Sequence, residues 1–316
     1  MLRFTLAFAV KSMLIAVCSS LSSLGCFAQT INGSGFSAES TSAAAIHKLV
    51  QEVDLTFTVR NHWGHLVRNL TPEQVAILDN GESPKKITYF ESQARLPLRL
   101  AFVIDISDSV ASELKDEKDA AQEFLRGILR PATDLGLVIT FNENAHLVQE
   151  PTSEVHRLTR AFTQLPAGGE TAIYDAVVLA AHRLASIPDY RPSLKVVILM
   201  SDGDDNCSHI TLHDAGMLAE QEGSTIYALN TSPFSPDGGA GERAMRWLAG
   251  VTGGNYLSVD PEGIGSALLA IQKELRSLYA ISYKPRTAEP DGSFHKVSII
   301  VPKKMSARHR DGYFAR

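Results

Sequence analysis

The sequence predicts an α/β protein: a doubly wound, mostly parallel sheet, with a small all-β sandwich formed by the two segments that flank it. Three observations lead there. Between Pro97 and Tyr279, apolar runs of strand length alternate with amphipathic helical stretches, the spacing of a sheet covered by helices on both faces. On either side the chain changes to short alternating strands separated by turn residues, which is half-buried antiparallel texture. Each flank holds only about three such strands, too few to be stable alone, so the two ends are expected to pair, with the α/β domain inserted between them.

In chain order, residues 1–28 read as a signal peptide: Arg3 and Lys11, an apolar run through Met13–Val17, and small residues closing on Cys26-Phe27-Ala28. Cleavage is predicted between Ala28 and Gln29. Serines at 19–20 and 22–23 leave the run too short for a hydrocarbon core that needs roughly 20 apolar residues. No transmembrane span is therefore expected in the mature chain. Cys26 after Leu24-Gly25 is a candidate for lipid anchoring, against which Ser23 stands where an aliphatic residue is usual. Residues 29–45 are a Gly/Ser/Thr-rich flexible leader,.

The first β segment is 46–95, with strands expected at Val53–Val59, Leu66–Leu70, Gln74–Leu78 and Lys86–Phe90. Asp79-Asn80-Gly81 supplies the turn before the last of these,. The α/β domain is 97–279. It opens on Leu98–Ile104, an unbroken apolar run suited to a strand buried on both faces,. Strands are expected again at Leu135–Phe141, Leu194–Met200, Thr225–Leu229 and Asn255–Ser258. Helices are expected at 113–129, 153–165, 173–186, 212–222, 241–251 and 264–278, and 142–151 is expected to be a loop. Residues 280–316 form the closing β segment, pairing with 46–95 through strands at Tyr279–Tyr283, His295–Val301 and Arg308–Phe314, with Asp291-Gly292 as a turn.

Composition narrows function. With 30 basic and 35 acidic residues among 316 and a formal net charge of -5, the chain lacks the basic surplus of a nucleic-acid binder. Of three cysteines, Cys18 and Cys26 leave with the signal, so Cys207 has no partner for an internal disulfide,.

The segment Asp105-Ile106-Ser107-Asp108-Ser109 ends the first buried strand, where ligands of doubly wound sheets bind. A carboxylate with hydroxyls two and four residues on puts three hard oxygens on one loop, donors that suit Mg²⁺. Thr171, in Gly168-Gly169-Glu170-Thr171, opens a helix, and Asp202, in Ser201-Asp202-Gly203, ends another buried strand on the same rim. Alone, the Asp-Ser segment reads equally well as a helix-capping loop; Thr171 and Asp202 in register weigh against that.

This pattern resembles the von Willebrand factor type A domain and its metal-ion-dependent adhesion site, over about residues 97–279. The resemblance implies that Ser107 and Ser109 bind Mg²⁺ directly, that Asp105 and Asp202 act largely through water, and that Thr171 binds directly when a ligand is engaged. An acidic side chain of a protein partner then completes the coordination, and Mn²⁺ fits the same donors. The flanks, with Asp79-Asn80-Gly81 and Arg310-Asp311-Gly312-Tyr313, resemble exported bacterial proteins, frequent in Acidobacteria, that carry this domain between β segments.

Other features carry less. Cys207, His209 and His213 have a histidine pair four apart but no glutamate between them, unlike a zinc protease helix. Gly238, Gly239 and Gly241 match no phosphate loop,. Trp63 and Trp247 read as core or rim packing. No Gly-x-Ser-x-Gly elbow is present,. Asp108, Asp204 and Asp205 read as solvated rim charge. The expected function is an exported binding or adhesion module, periplasmic, cell-surface or extracellular, that captures a partner's Asp or Glu through bound Mg²⁺. The alternative is a metal-dependent hydrolase with one of those rim aspartates as base. A third reading places the same contact inside an envelope assembly.

Overall fold

The computed structural model describes residues 52–92, 96–110, 114–163, 165–189, 193–231, 239–286 and 291–315. The signal peptide, the leader and the lipidation candidate Cys26 lie outside these residues. No helix among the described residues is long and apolar enough to cross a membrane.

The larger layer is a six-stranded sheet in the order β6-β5-β4-β7-β8-β9. Its strands are β4 (Leu98–Asp105), β5 (Leu135–Phe141), β6 (Ala145–Thr152), β7 (Leu194–Ser201), β8 (Ser224–Asn230) and β9 (Asn255–Ser258). All neighbours are parallel except β5 and β6. At the centre, β4 is buried at every position, and its continuous apolar sequence follows from having helices on both faces. Leu100, Phe102 and Ile104 point to one face, against helices α1 (Leu114–Ile128), α2 (Val155–Arg160) and α6 (Ile264–Leu275). Ala101 and Val103 point to the other, against α3 (Ile173–Ala185), α4 (Leu212–Gln221) and α5 (Ala240–Val251). The registers Phe102↔Val138 and Phe102↔Ile198 keep like-facing residues in rows, the consequence of a side-chain period of two.

The chain ends build the second layer pair. A four-stranded sheet, β12-β1-β10-β3, faces a three-stranded sheet, β13-β11-β2. The strands are β1 (Val53–Asn61), β2 (Ala76–Asp79), β3 (Lys86–Ser92), β10 (Tyr279–Lys284), β11 (Phe294–Ile300), β12 (Met305–Arg308) and β13 (Gly312–Phe314). β1 and β10, from opposite ends of the sequence, pair antiparallel from Val53↔Tyr283 to Phe57↔Tyr279. Val53, Leu55, Phe57 and Val59 interleave with Ile281, Ile77, Val297 and Ile299 in one core. Asp79 is buried in that core, accepting hydrogen bonds from Tyr283 (3.0 Å) and Tyr313 (2.8 Å) and lying 2.8 Å from His295 Nδ1. The two turn motifs from the chain ends therefore meet at one carboxylate.

Residues Leu49–Arg316 form one compact unit. The sandwich is tied to the α/β layer by ion pairs on buried glutamates. Glu274 of α6 takes Arg60 (3.1 Å), Arg308 and the Tyr227 hydroxyl (2.9 Å), and Glu220 of α4 takes Arg310 (2.6 Å).

Several expectations need correction. Residues 142–151 are not a loop, because β6 adds an antiparallel edge there, and Pro151 is tolerated because an edge strand has a side with no ladder to break,. The helix expected at 153–165 shortens to α2, since the chain is held in β6 as far as Thr152. Leu66–Leu70 makes only one bridge, Arg60↔Leu66. Gln74–Leu78 starts as a 3₁₀ turn because Pro72 and the Thr71/Gln74 capping box favour one,. Arg308–Phe314 breaks into β12 and β13 as the chain crosses between sheets. Trp63 is 71% exposed, at the tip after β1, against the His62 ring.

Candidate metal centre

The carboxyl ends of β4 and β7 and the start of α3 converge on one rim. Asp105, the last residue of β4, is fully buried. Its Oδ1 accepts the Ser107 N–H (2.8 Å) and its Oδ2 accepts the Ser201 hydroxyl (2.6 Å). Burial pushes its pKa up to about 6 against the pull of those hydrogen bonds, and the charge of Asp202 adds to the rise. Among the described residues Asp105 forms no ion pair. It is a desolvated carboxylate facing another carboxylate.

Ser107, also fully buried, and Ser109, exposed, have hydroxyls 3.0 Å apart. Their loop is held from both sides: Ile106 N–H donates to Phe141 O (2.9 Å), Gly168 N–H to Ile106 O (2.8 Å) and Asp108 N–H to Gly169 O (3.1 Å). Gly168 and Gly169 have φ of 150° and 94°, so only glycine fits this close approach without strain. Thr171 is 4% exposed, and both its backbone groups are fixed by Asn206, whose Oδ1 accepts its N–H (2.8 Å) and whose N–H donates to its carbonyl (3.0 Å). Asp202 is half-buried and accepts the Asp204 N–H (3.3 Å).

All five residues singled out in the sequence thus stand at one sheet edge, on three loops bonded to one another. Ser201, Asn206 and Asn142 were not singled out, although they brace the loops. Ser201 binds both Asp105 and the Gly203 N–H (3.1 Å), and the Asn142 amide donates to Gly168 O (3.0 Å). Ser201 adjoins the Ser-Asp-Gly motif and was within reach of sequence reasoning; the asparagines bridge loops far apart in the chain and left no local signal.

Two of the rim aspartates are more than solvated charge. Asp204 accepts the Gly241 N–H (3.2 Å) at the start of α5, and Asp205 accepts the Ser208 hydroxyl (2.6 Å) and the Tyr174 N–H (3.2 Å). The trio Cys207, His209 and His213 does not converge. His209 precedes α4 and lies 2.8 Å from Asp175, His213 rests on the Trp247 ring at 5.7 Å, and Cys207 leans on Glu143 O. Burial and nearby Glu170 raise the Cys207 pKa, so this thiol is not activated. Gly241 sits where a Cβ would strike the Gly203 and Asp204 backbone at 2.4–2.6 Å; loop contact, not phosphate, requires that glycine.

Residues 100–204, from inside β4 to just past Asp202, match the sequence profile of the von Willebrand factor type A domain. The matched stretch holds all five rim residues. No curated protein sequence matches the chain. Among solved structures, a proximal thread matrix protein from the mussel byssus, described with a zinc-occupied MIDAS motif, is 19% identical with a TM-score of 0.50. That alignment covers 63% of this chain and 50% of the mussel protein, and it shows a shared fold. An aerotolerance-related membrane protein from Bacteroides fragilis is also similar, at 19% identity, 56% and 98% coverage and a TM-score of 0.47. So is the type V pili tip protein Mfa5 of Porphyromonas gingivalis, at 13% identity, 56% and 94% coverage and 0.44.

The donor chemistry of this rim fits a hard divalent cation. Among the described residues no three His, Cys, Asp or Glu side chains converge as a metal site, so an ion at this rim would depend on serine and threonine hydroxyls. Two nearby carboxylates, Asp105 and Asp202, balance a divalent charge,.

Proposed function

We propose that this protein is an exported adhesion or protein-interaction module whose rim holds Mg²⁺ and captures an acidic side chain of a protein partner. The observation that carries the reading is the Ser107–Ser109 hydroxyl pair at 3.0 Å, set in front of buried Asp105 with Thr171 and Asp202 on the adjoining loops. Ser107, Ser109 and Thr171 would hold the ion through hydroxyls. Asp105, with both oxygens already accepting a hydrogen bond, and Asp202 would balance its charge largely through water. Bound there, Mg²⁺ supplies an electrophilic position for one further oxygen. The mussel byssus protein named above is described with a zinc-occupied MIDAS motif, which accords with this reading.

The domain boundaries at 46–95, 97–279 and 280–316 and the export signal at 1–28 belong to the same proposal. Of the three aspartates the hydrolase alternative could use as base, Asp204 and Asp205 are committed to bracing loops, which leaves exposed Asp108. The test is thermal unfolding with millimolar Mg²⁺ against EDTA, where stabilisation follows RT ln(1 + [L]/Kd). Asp105→Asn is the informative variant. Asp105→Ala would strand the Ser107 N–H and Ser201 hydroxyl, whereas the amide removes the charge, keeps an acceptor for the Ser107 N–H and turns an NH2 donor towards the Ser201 hydroxyl oxygen. Mg²⁺ should raise the melting temperature of the wild type and leave Asp105→Asn unmoved. An equal rise in both would overturn the assignment.

A further inference from the structure

One end of the sandwich carries an aromatic ring on a rigid tip. Where β1 ends, residues 62–65 protrude as a turn in which every residue is exposed, and Trp63 is 71% exposed. The turn is held firmly. Asn61 Oδ1 accepts both the Trp63 N–H (3.1 Å) and the His65 N–H (3.0 Å), Asn61 N–H donates to His65 O (2.9 Å), and Arg60 Nη1 donates to Gly64 O (2.9 Å). Gly64 takes a φ of 81°, the left-handed conformation such a turn needs. A single exposed apolar residue means little by itself; the neighbours of this one give it meaning.

The second observation is the turn beside it. β12 pairs with β1 from Asn61↔Met305 to Thr58↔Arg308, so the turn from β11 to β12 lies alongside the β1 tip. Its lysines, Lys303 and Lys304, are both exposed, and among the described residues neither forms an ion pair. Ile300, 48% exposed, closes β11 at the same end. No aspartate or glutamate occurs between Leu55 and Pro72 or between Phe294 and Arg310, in a chain whose net charge is -5. The carboxylate that does approach, Glu274, is buried and paired with Arg60 and Arg308. This end of an acidic protein therefore offers cations and apolar surface and no free anion from the strips that build it.

An indole, apolar with one N–H at its edge, is at home in the headgroup layer of a bilayer, where one side is dry and the other wet. Lysines beside it gain from anionic lipid. A protruding tip has no hollow in which to enclose a small ligand. We infer that this end of the sandwich is a membrane-contact surface, in which Trp63 enters the interfacial layer of an anionic phospholipid bilayer while Lys303 and Lys304 meet its headgroups. The contact is peripheral and reversible, since one ring and two cations fall short of an anchor. It also stands apart from the metal rim. Arg308 reaches Gly254 O (3.1 Å), just before β9, and Arg310 reaches Glu220, near the end of α4, which places the sandwich at the amino ends of the strands and the rim at their carboxyl ends.

The test uses the mature chain in EDTA, so that no ion bridges acidic side chains to lipid. Protein-free vesicles are made of phosphatidylcholine alone or of phosphatidylcholine with phosphatidylglycerol. Trp63 and Trp247 are the two tryptophans of the chain, so in Trp247→Phe the emission reports on Trp63. At low salt the chain should sediment with the mixed vesicles, and Trp63 emission should shift to the blue and be quenched by brominated acyl chains. Lys303→Gln/Lys304→Gln should weaken partitioning about 30-fold, the effect of two cations near an anionic surface. Trp63→Ala should weaken it about tenfold through lost burial of the ring. Neither variant should change the melting temperature. Undiminished binding in both variants, or Trp63 emission that stays put while the chain is on the vesicles, would overturn the assignment of this surface. Equal binding to both kinds of vesicle would overturn the part given to the lysines. Binding to neither would overturn lipid as the occupant and leave the tip to a protein partner.

Discussion

Glu274 offers a sharp energetic prediction. It lies 3% exposed on the last turn of α6 and is held by Arg308, Arg60 and the Tyr227 hydroxyl. The Arg60 side chain is 44% exposed and that of Arg308 33%, so solvent screens Arg60 more and Arg308 should dominate. Removing both cations in Arg60→Ala/Arg308→Ala leaves a buried carboxylate with one phenol for company. Breaking a buried pair from one side costs about 3–5 kcal/mol. Half-exposed partners put this case near the lower figure, about 3 kcal/mol. Adding Glu274→Gln removes the stranded charge and should recover most of the loss, because the amide can still meet the Tyr227 hydroxyl. Urea unfolding midpoints of the wild type, the double and the triple variant measure this at constant slope. A double variant within about 1 kcal/mol of wild type, or a triple variant no better than the double, would refute the view that these arginines neutralise Glu274.

Two further expectations concern the rim. Gly203→Ala should cost about 2–4 kcal/mol, because φ is 95° and the new Cβ would lie 2.7 Å from the Gly241 backbone, combining left-handed strain with overpacking; an unchanged melting temperature would contradict it. In EDTA, Asp105 should make stability fall as pH rises. Its folded pKa of about 6 exceeds the ordinary 3.8, so the folded state holds the proton more tightly, and the contribution is full below about pH 4 and lost through about pH 6, about 3 kcal/mol in all. Asp105→Asn should flatten that slope between about pH 4 and 6, and equal slopes in the two proteins would refute the shift,.

The parts of the fold legible in the sequence were those set by local patterning. Leu98–Ile104 reads as a doubly buried strand because no polar residue interrupts it, and Val53–Val59 reads as one face of a sheet because it alternates. The pairing of the chain ends followed from counting strands. What stayed hidden depended on distant partners. β6 alternates weakly and contains Pro151, and it is a strand because β5 offers an open edge. The anchoring of α6 to the sandwich needed Arg60 and Arg308 placed opposite Glu274, a separation of 214 residues for Arg60. At the rim, the Asp-Ser-Ser, Thr and Asp positions were visible because strand ends in a doubly wound sheet share an edge. The braces Asn142 and Asn206 were not, since a side-chain amide reaching across loops has no fixed spacing.

The central claim is that Asp105, Ser107, Ser109, Thr171 and Asp202 hold a divalent ion. The most direct measurement is anomalous diffraction from crystals of the mature chain soaked in millimolar Mn²⁺. The account predicts a single strong peak within about 2–2.5 Å of the Ser107 and Ser109 hydroxyls, absent from Asp105→Asn crystals. An empty rim in well-diffracting crystals, or a peak held by other residues, would contradict it.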